Sequence, residues 1–503
     1  MLSKTYSGAV QGVDGLLVEV EVDIAFGLPG FATVGLPEAT VRESKDRVHA
    51  AIKNSGYEFP TKKITVNLAP ADLRKAGTGY DLPMAVAILA ASQVFKSELL
   101  SRYLLIGELS LDGSLRPVNG ILPITMAAAA QGLSGVIVPA ANAAEAAVVG
   151  DIPVISAVSL PEAVEFLAGL KEIKPFIIEH SQLTLSTDFE INLDEVKGQE
   201  QAKRALEIAA AGGHNLLFEG PPGSGKTMLA RRLPTIMPPL SREEALETSK
   251  IYSVAGLNTI SGLINCRPFR APHHNISEAG LIGGSSMPRP GEVSLANNGV
   301  LFLDELAEFK KTVLEGLRQP LEDGAVTISR AAAALTFPAN FILVAATNPC
   351  PCGYLGDDNH ECRCLPAQVQ RYKNKISGPL LDRIDMYVEV SAVPFKELSS
   401  RRQGENSDII RKRVVMARQI QETRFKDIPN LYANGRMGQR QIRLFCPLDK
   451  SSILLLENAM RKLALSARAY NRIIKIARTI ADLDHSSAIK SSHVAEAVQY
   501  RRQ

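Results

Sequence analysis

The chain has 503 residues, of which 46% are hydrophobic and 22% charged, and its formal net charge is +3. That length predicts about two to four domains, each able to bury a core of its own. No apolar run is long enough to span a bilayer, and no charged-then-apolar leader opens the sequence, which argues against a membrane-embedded or exported chain. Four of the six cysteines fall within 350–364, while Cys266 and Cys446 stand alone. This is not the framework of a disulfide-stapled secreted domain, and a reducing cytoplasm is the expected location.

The charge is unevenly spread, with net −5 over 1–180, −4 over 181–400 and +12 over 401–503. A basic terminal segment suits a phosphate backbone as partner. It suits a solvated helical face or a subunit interface equally well.

Residues 1–170 alternate apolar strands with short helices. Leu16–Val22, Lys63–Leu68 and Gly135–Pro139 read as strands and Leu82–Ala91 as an apolar helix. This is α/β or α+β material without a phosphate loop. Residues 171–190 turn polar and read as a linker.

Residues 191–395 are expected to form a nucleotide-binding α/β domain. After a helix over Glu200–Ala211, Asn215–Glu219 reads as a buried strand and Met228–Leu233 as a helix. Between them lies Gly220-Pro221-Pro222-Gly223-Ser224-Gly225-Lys226-Thr227, which fits G-x-x-x-x-G-K-[ST] at every fixed position. Strand, glycine loop and helix in that order let backbone N–H groups and a helix N-terminus converge on phosphate oxygens. Lys226 would reach the β/γ-phosphates of ATP and Thr227 would ligate Mg²⁺. Downstream, the apolar strand Gly299–Leu303 ends in Asp304-Glu305, with Asp304 suited to the Mg²⁺ shell and Glu305 to polarising a water. A further strand, Phe341–Ala346, ends in Thr347-Asn348; Asn348 would orient that water, or simply terminate the strand. Arg383 follows, flanked by Asp382 and Asp385, an arrangement that a surface ion pair would also produce.

Cys350, Cys352, Cys362 and Cys364 form two C-x-C pairs in a loop rich in Gly, Asp and Asn, with His360 beside them. Four soft ligands suit a structural Zn²⁺, although paired zinc cysteines usually have two residues between them. Four reduced thiols, or a labile disulfide, are the alternatives. From 396 to 503 the sequence is basic and helical, with periodic stretches over Arg411–Thr423, Lys450–Leu465 and Leu465–Ala481.

Phosphate loop, Asp-Glu strand, Thr-Asn strand, Asp-Arg and a basic helical end, in that order, resemble an AAA+ ATPase. Arg267–His274, Leu281–Gly284, Pro290–Ala296, Asn348–Gly353 and Leu380–Asp385 narrow the resemblance to the magnesium-chelatase-like AAA+ family of the YifB/ComM type. It covers nearly the whole chain. It implies a multidomain α/β protein: a Lon-protease-like α+β front domain, a phosphate-loop domain and a C-terminal helical lid. Lys75–Met84 and Gly107–Leu122 resemble the two catalytic stretches of Lon enzymes. Where those enzymes carry a serine and a lysine, this chain offers Gly79 and Leu122, so no peptidase chemistry is expected.

The resemblance further implies a hexameric ring with ATP held between subunits. Asn348 then matches sensor 1, Arg383 a finger for the neighbour's γ-phosphate, and Arg468 the lid's sensor 2. Single-stranded or branched DNA is the implied substrate, moved by a branch-migrating helicase during natural transformation. Two insertions would line the pore: one around Gly280–Pro290 with Arg289, the other a hairpin around Val326–Arg330 and the alanines that follow. A magnesium-chelatase motor subunit and an ATP-dependent protein remodeller are the competing functions.

Overall fold

A computed structural model describes residues 1–178, 189–257, 262–284, 289–357, 360–394, 404–429, 431–463 and 466–501, with 331–332 excepted. The chain forms two compact units. The first comprises 1–184 and 242–265, the second 185–241 and 266–503.

The first unit is built on a seven-stranded sheet: β1 (Leu2–Gln11), β2 (Asp14–Ala25), β3 (Gly30–Val34), β4 (Lys63–Ala69), β5 (Tyr103–Leu105), β6 (Gly135–Pro139) and β7 (Val154–Ala157), in the order β3-β4-β2-β1-β5-β6-β7. In β2, Val18, Val20 and Val22 are fully buried while Glu19 and Glu21 alternate with them on the other face, the period-2 pattern of a strand with one face on a core. The helix Asp81–Ala91 is apolar on all sides and correspondingly buried on all sides. Its first residue, Asp81, is buried and accepts from the Arg47 guanidinium at 2.7 and 3.0 Å and from the Leu109 amide at 3.2 Å.

The helix Arg242–Ala255 also belongs here, which a division of the sequence near 170–190 does not anticipate. It packs on the helix Ile121–Ala130. The Gly120 amide donates to Ser253 O at 3.1 Å, and the Ser253 hydroxyl meets the buried carboxylate of Glu145. That carboxylate also accepts from the Leu122 amide at 3.2 Å and the Asn142 amide at 3.3 Å. At Gly79, a Cβ would lie 3.0 Å from Ile106 Cγ1, so the position has little room for any side chain. Leu122 is fully buried.

The second unit holds a five-stranded, all-parallel sheet: β8 (Leu216–Glu219), β9 (Phe269–Arg270), β10 (Val300–Leu303), β13 (Ile342–Thr347) and β14 (Met386–Glu389), in the order β9-β10-β13-β8-β14. Every residue of β10 and β13 is buried, as expected of parallel strands covered on both faces. The antiparallel hairpin β11 (Ala325–Arg330) and β12 (Ala333–Pro338) falls where the sequence suggests one.

Beyond 404 the described residues are helical: Ser407–Phe425, Gln439–Phe445, Lys450–Lys462, Ala467–Leu483 and Ser491–Gln499. Ala467–Leu483 is one continuous helix. The Ser466 hydroxyl caps it by accepting from the Ala469 amide. Its apolar face, including Ile473, Ile476, Ala477 and Ile480, enters the same core as β8, β10 and β13. A polar seam adds to this. His214 Nε2 lies 2.8 Å from the Thr479 hydroxyl, and Arg478, 2% exposed, is held by Asp482 and the Ser487 carbonyl.

Candidate nucleotide-binding site

The carboxyl ends of three neighbouring parallel strands, β10, β13 and β8, bring the site together, where ligands of open α/β sheets bind. β8 delivers Gly220–Gly225, and the helix Lys226–Ile236 begins directly after. Gly223 and Gly225 have φ of +75° and +90°, and nothing lies within 4 Å of a Cβ at either position. Backbone conformation therefore demands glycine there, since space does not.

Lys226 is 8% exposed, and its ammonium donates to the carbonyls of Gly220 at 2.7 Å and Pro221 at 2.8 Å. It also reaches the Ser224 hydroxyl and Asn348 Oδ1, each at 3.4 Å. Burial lowers its pKa, opposed by the charges of Asp304 and Glu305. The Thr227 hydroxyl donates to Asp304 Oδ2 at 2.7 Å. A hydroxyl and a carboxylate this close, beside a phosphate loop, are a donor set that a Mg²⁺ ion can share.

Glu305 follows Asp304 in the left-handed region, with φ +51°, and its amide donates to Asp304 Oδ1 at 2.9 Å. Few non-glycine residues adopt this backbone. The Glu305 carboxylate is 54% exposed, with Oε2 at 3.4 Å from His274 Nδ1. His274 sits four residues after the edge strand β9, its ring 4.1 Å from that of His273. No spacing rule in the sequence marked His274, because the contact is made across strands.

The structure thus brings Lys226, Thr227, Asp304, Glu305 and Asn348 together at one sheet end. It places Arg383 and Arg468 elsewhere. Arg383 pairs with Glu322 and donates to Pro379 O at 2.6 Å, and its Nε is buried without a hydrogen-bond partner. Asp385, expected beside it, instead faces His214 at 3.7 Å and Arg472 at 3.6 Å. Arg468 is 67% exposed and lies 3.3 Å from Asp382. Neither arginine has a recorded bond to the phosphate-loop side chains among the described residues. Arg289 is exposed, and Arg330 ends β11. Residues 285–288 and 331–332 of the two suggested pore insertions lie outside the described residues.

The four cysteines converge. All their Sγ atoms lie within 4.8 Å of one another, with Cys350–Cys352 at 3.4 Å and Cys362 at 3.7 Å from each of those two. The Tyr354 amide draws the Cys352 thiol down to about 6. His360 is not part of the cluster; it bonds Asp357 at 3.0 Å and lies against Tyr354.

Comparison with known proteins gives the same picture over almost the full length. Family models match three successive stretches: "Subunit ChlI of Mg-chelatase" over 20–142, "Magnesium chelatase, subunit ChlI" over 192–398 and "Magnesium chelatase, subunit ChlI C-terminal" over 404–501. Competence protein ComM of Haemophilus influenzae is 46% identical across 99% of this chain and 97% of its own. The uncharacterized protein YifB of Salmonella typhimurium is 46% identical with the same coverage. The chain belongs to the magnesium-chelatase-like YifB/ComM family. The YifB/ComM chains are thus full-length relatives, whereas the chloroplastic magnesium-chelatase subunit ChlI of rice is 26% identical over only 33% of this chain. No described helix of this YifB/ComM-family chain is long and apolar enough to cross a membrane.

Proposed function

We propose that this YifB/ComM-family chain is an ATP-hydrolysing motor of the AAA+ type that acts on DNA as a hexameric ring in the cytoplasm. The convergence of Lys226, Thr227, Asp304, Glu305 and Asn348 on one sheet end carries the ATPase half of this function. Lys226 holds phosphate oxygens, and Thr227 and Asp304 would hold Mg²⁺, which supplies charge neutralisation at the β- and γ-phosphates. Glu305 takes the proton of the attacking water and Asn348 fixes that water's orientation. Arg383 acts on a neighbouring subunit's nucleotide, and Arg468 joins the site when the lid moves. The inactive front domain serves binding or assembly, since Gly79 and Leu122 supply neither nucleophile nor base.

The DNA half is supported by the name of the H. influenzae relative, a competence protein, and by the basic segment beyond 401. On this basis the motor is a branch-migrating helicase that helps incorporate incoming DNA during natural transformation, with Arg289 and Arg330 touching its phosphates. A magnesium-chelatase-type subunit is the second reading, favoured by the family models but weakened by the short stretch shared with the rice subunit. Steady-state ATPase rates without DNA, with single-stranded DNA and with a branched junction test the choice. Several-fold stimulation by DNA is expected; ATPase activity indifferent to every DNA would discard the DNA half alone.

A further inference from the structure

We infer that the four cysteines form a zinc site built into the wall of the nucleotide pocket, so that metal occupancy sets nucleotide affinity. This deepens the function proposed above and rests on the phosphate loop being an ATP site.

The cluster has the dimensions of a tetrathiolate. A tetrahedron with Zn–S bonds of about 2.3 Å has S···S edges of about 3.8 Å, close to the 3.4, 3.7 and 3.7 Å found among Cys350, Cys352 and Cys362. A disulfide would need about 2.05 Å, and all four thiols are free. Binding is a balanced exchange in which the thiols still protonated lose their S–H protons to solvent as four Zn–S bonds form, with no change in oxidation state.

Three contacts connect this loop to the phosphate site. Cys350 lies two residues after Asn348, which accepts from Lys226. Gly353, with φ +88°, packs its backbone against the phosphate loop, where a Cβ would lie 2.6 and 2.8 Å from Pro222 Cδ and Cγ. Past Cys364, the helix Pro366–Lys373 sends Lys373 Nζ to 3.4 Å from a carboxylate oxygen of Glu219, the residue before Gly220. Between these anchors the described loop residues Pro351, Leu355, Gly356, Glu361, Arg363 and Leu365 are exposed. Few apolar contacts therefore hold the loop in place, and the metal cross-link becomes its main source of order.

The test uses the full chain, purified under reducing conditions without added metal. Elemental analysis should find about one zinc per chain, and cobalt substitution should give the thiolate charge-transfer absorption of a tetrahedral S₄ site. Removing zinc with a chelator should weaken binding of a fluorescent ATP analogue by about tenfold or more, and returning zinc should restore it. Cys364→Ser should lose the cobalt band together with affinity. Gly353→Ala, which keeps all four thiols but presses on Pro222, should retain zinc and still lose affinity, so the conclusion does not hang on a variant that unfolds. Absence of both zinc and the cobalt band would overturn the metal site. Zinc present, yet an unchanged ATP affinity after stripping, would overturn the coupling whatever Gly353→Ala does. Failure of the zinc-loaded wild type to bind ATP would instead remove the nucleotide site itself, and this inference with it.

Discussion

Replacing Lys226 by alanine probes the phosphate site most directly, and the structure sets the size of the effect. The ammonium already donates to two carbonyls at 2.7 and 2.8 Å. ATP must draw it away from them, so affinity reports a difference. Two charge-assisted bonds to phosphate are worth roughly 3–6 kcal/mol together, and the two carbonyl bonds surrendered cost about 1–3 kcal/mol. Taken at their midpoints, these ranges leave a net loss in Lys226→Ala of about 2.5 kcal/mol, or roughly 70-fold in Kd. Titration with a fluorescent ATP analogue measures it, with circular dichroism confirming that the variant is folded. A folded Lys226→Ala protein whose Kd rises less than about threefold would refute the reasoning, because the lysine would then make no net contribution to phosphate binding.

Glu305→Gln should bind ATP normally and lower turnover by about 10²–10⁴, since the amide cannot accept the water's proton; near-normal turnover would displace Glu305 from that role. His274→Ala should lower kcat while leaving nucleotide affinity unchanged, and His274→Asn should recover part of it; equal loss of affinity would make His274 a structural residue only. Burial alone would raise the Asp385 carboxyl, but His214, Arg472 and Lys475 more than offset it and hold it well below the usual carboxylate range. A depressed folded-state pKa means its stabilisation is complete above the ordinary carboxylate pKa of about 4 and is lost as the pH falls below that. Asp385→Asn should therefore cost about 3–5 kcal/mol in chemical denaturation at neutral pH, with a smaller gap from wild type near pH 3; a gap independent of pH would contradict the assignment.

The legible parts of the sequence were those fixed by local backbone chemistry. Gly223 and Gly225 need positive φ, a requirement that sequence spacing records directly. The apolar runs of β10 and β13 announce buried parallel strands, so the positions of Asp304 and Asn348 at their ends follow from the strands alone. The four thiols were legible as a cluster because cysteine is scarce in this chain. Contacts across strands or between distant segments were not. His274 meets Glu305 only because β9 lies beside β10. Glu145 meets Ser253 across 108 positions, so nothing near residue 250 shows that Arg242–Ala255 belongs with the first 184 residues.

Arg383 and Arg468 illustrate a different limit. Asp382 and Arg383 are adjacent in sequence, yet Asp382 faces Arg468 and Arg383 faces Glu322. Arg472, one turn further along the Arg468 helix, donates to Ile384 O at 2.7 Å, and Arg501 donates to the carbonyls of Ile384 and Asp385 at 3.0 Å. The Arg472 bond ties the helix bearing Arg468 to the turn bearing Arg383, so a displacement of one would be passed to the other. Arg383 Nε is itself buried without a hydrogen-bond partner. A buried guanidinium N–H without an acceptor carries a desolvation cost. Sequence can nominate these arginines by their order along the chain. Their partners within the chain, Glu322 for Arg383 and Asp382 for Arg468, are set by how the chain folds back and not by that order.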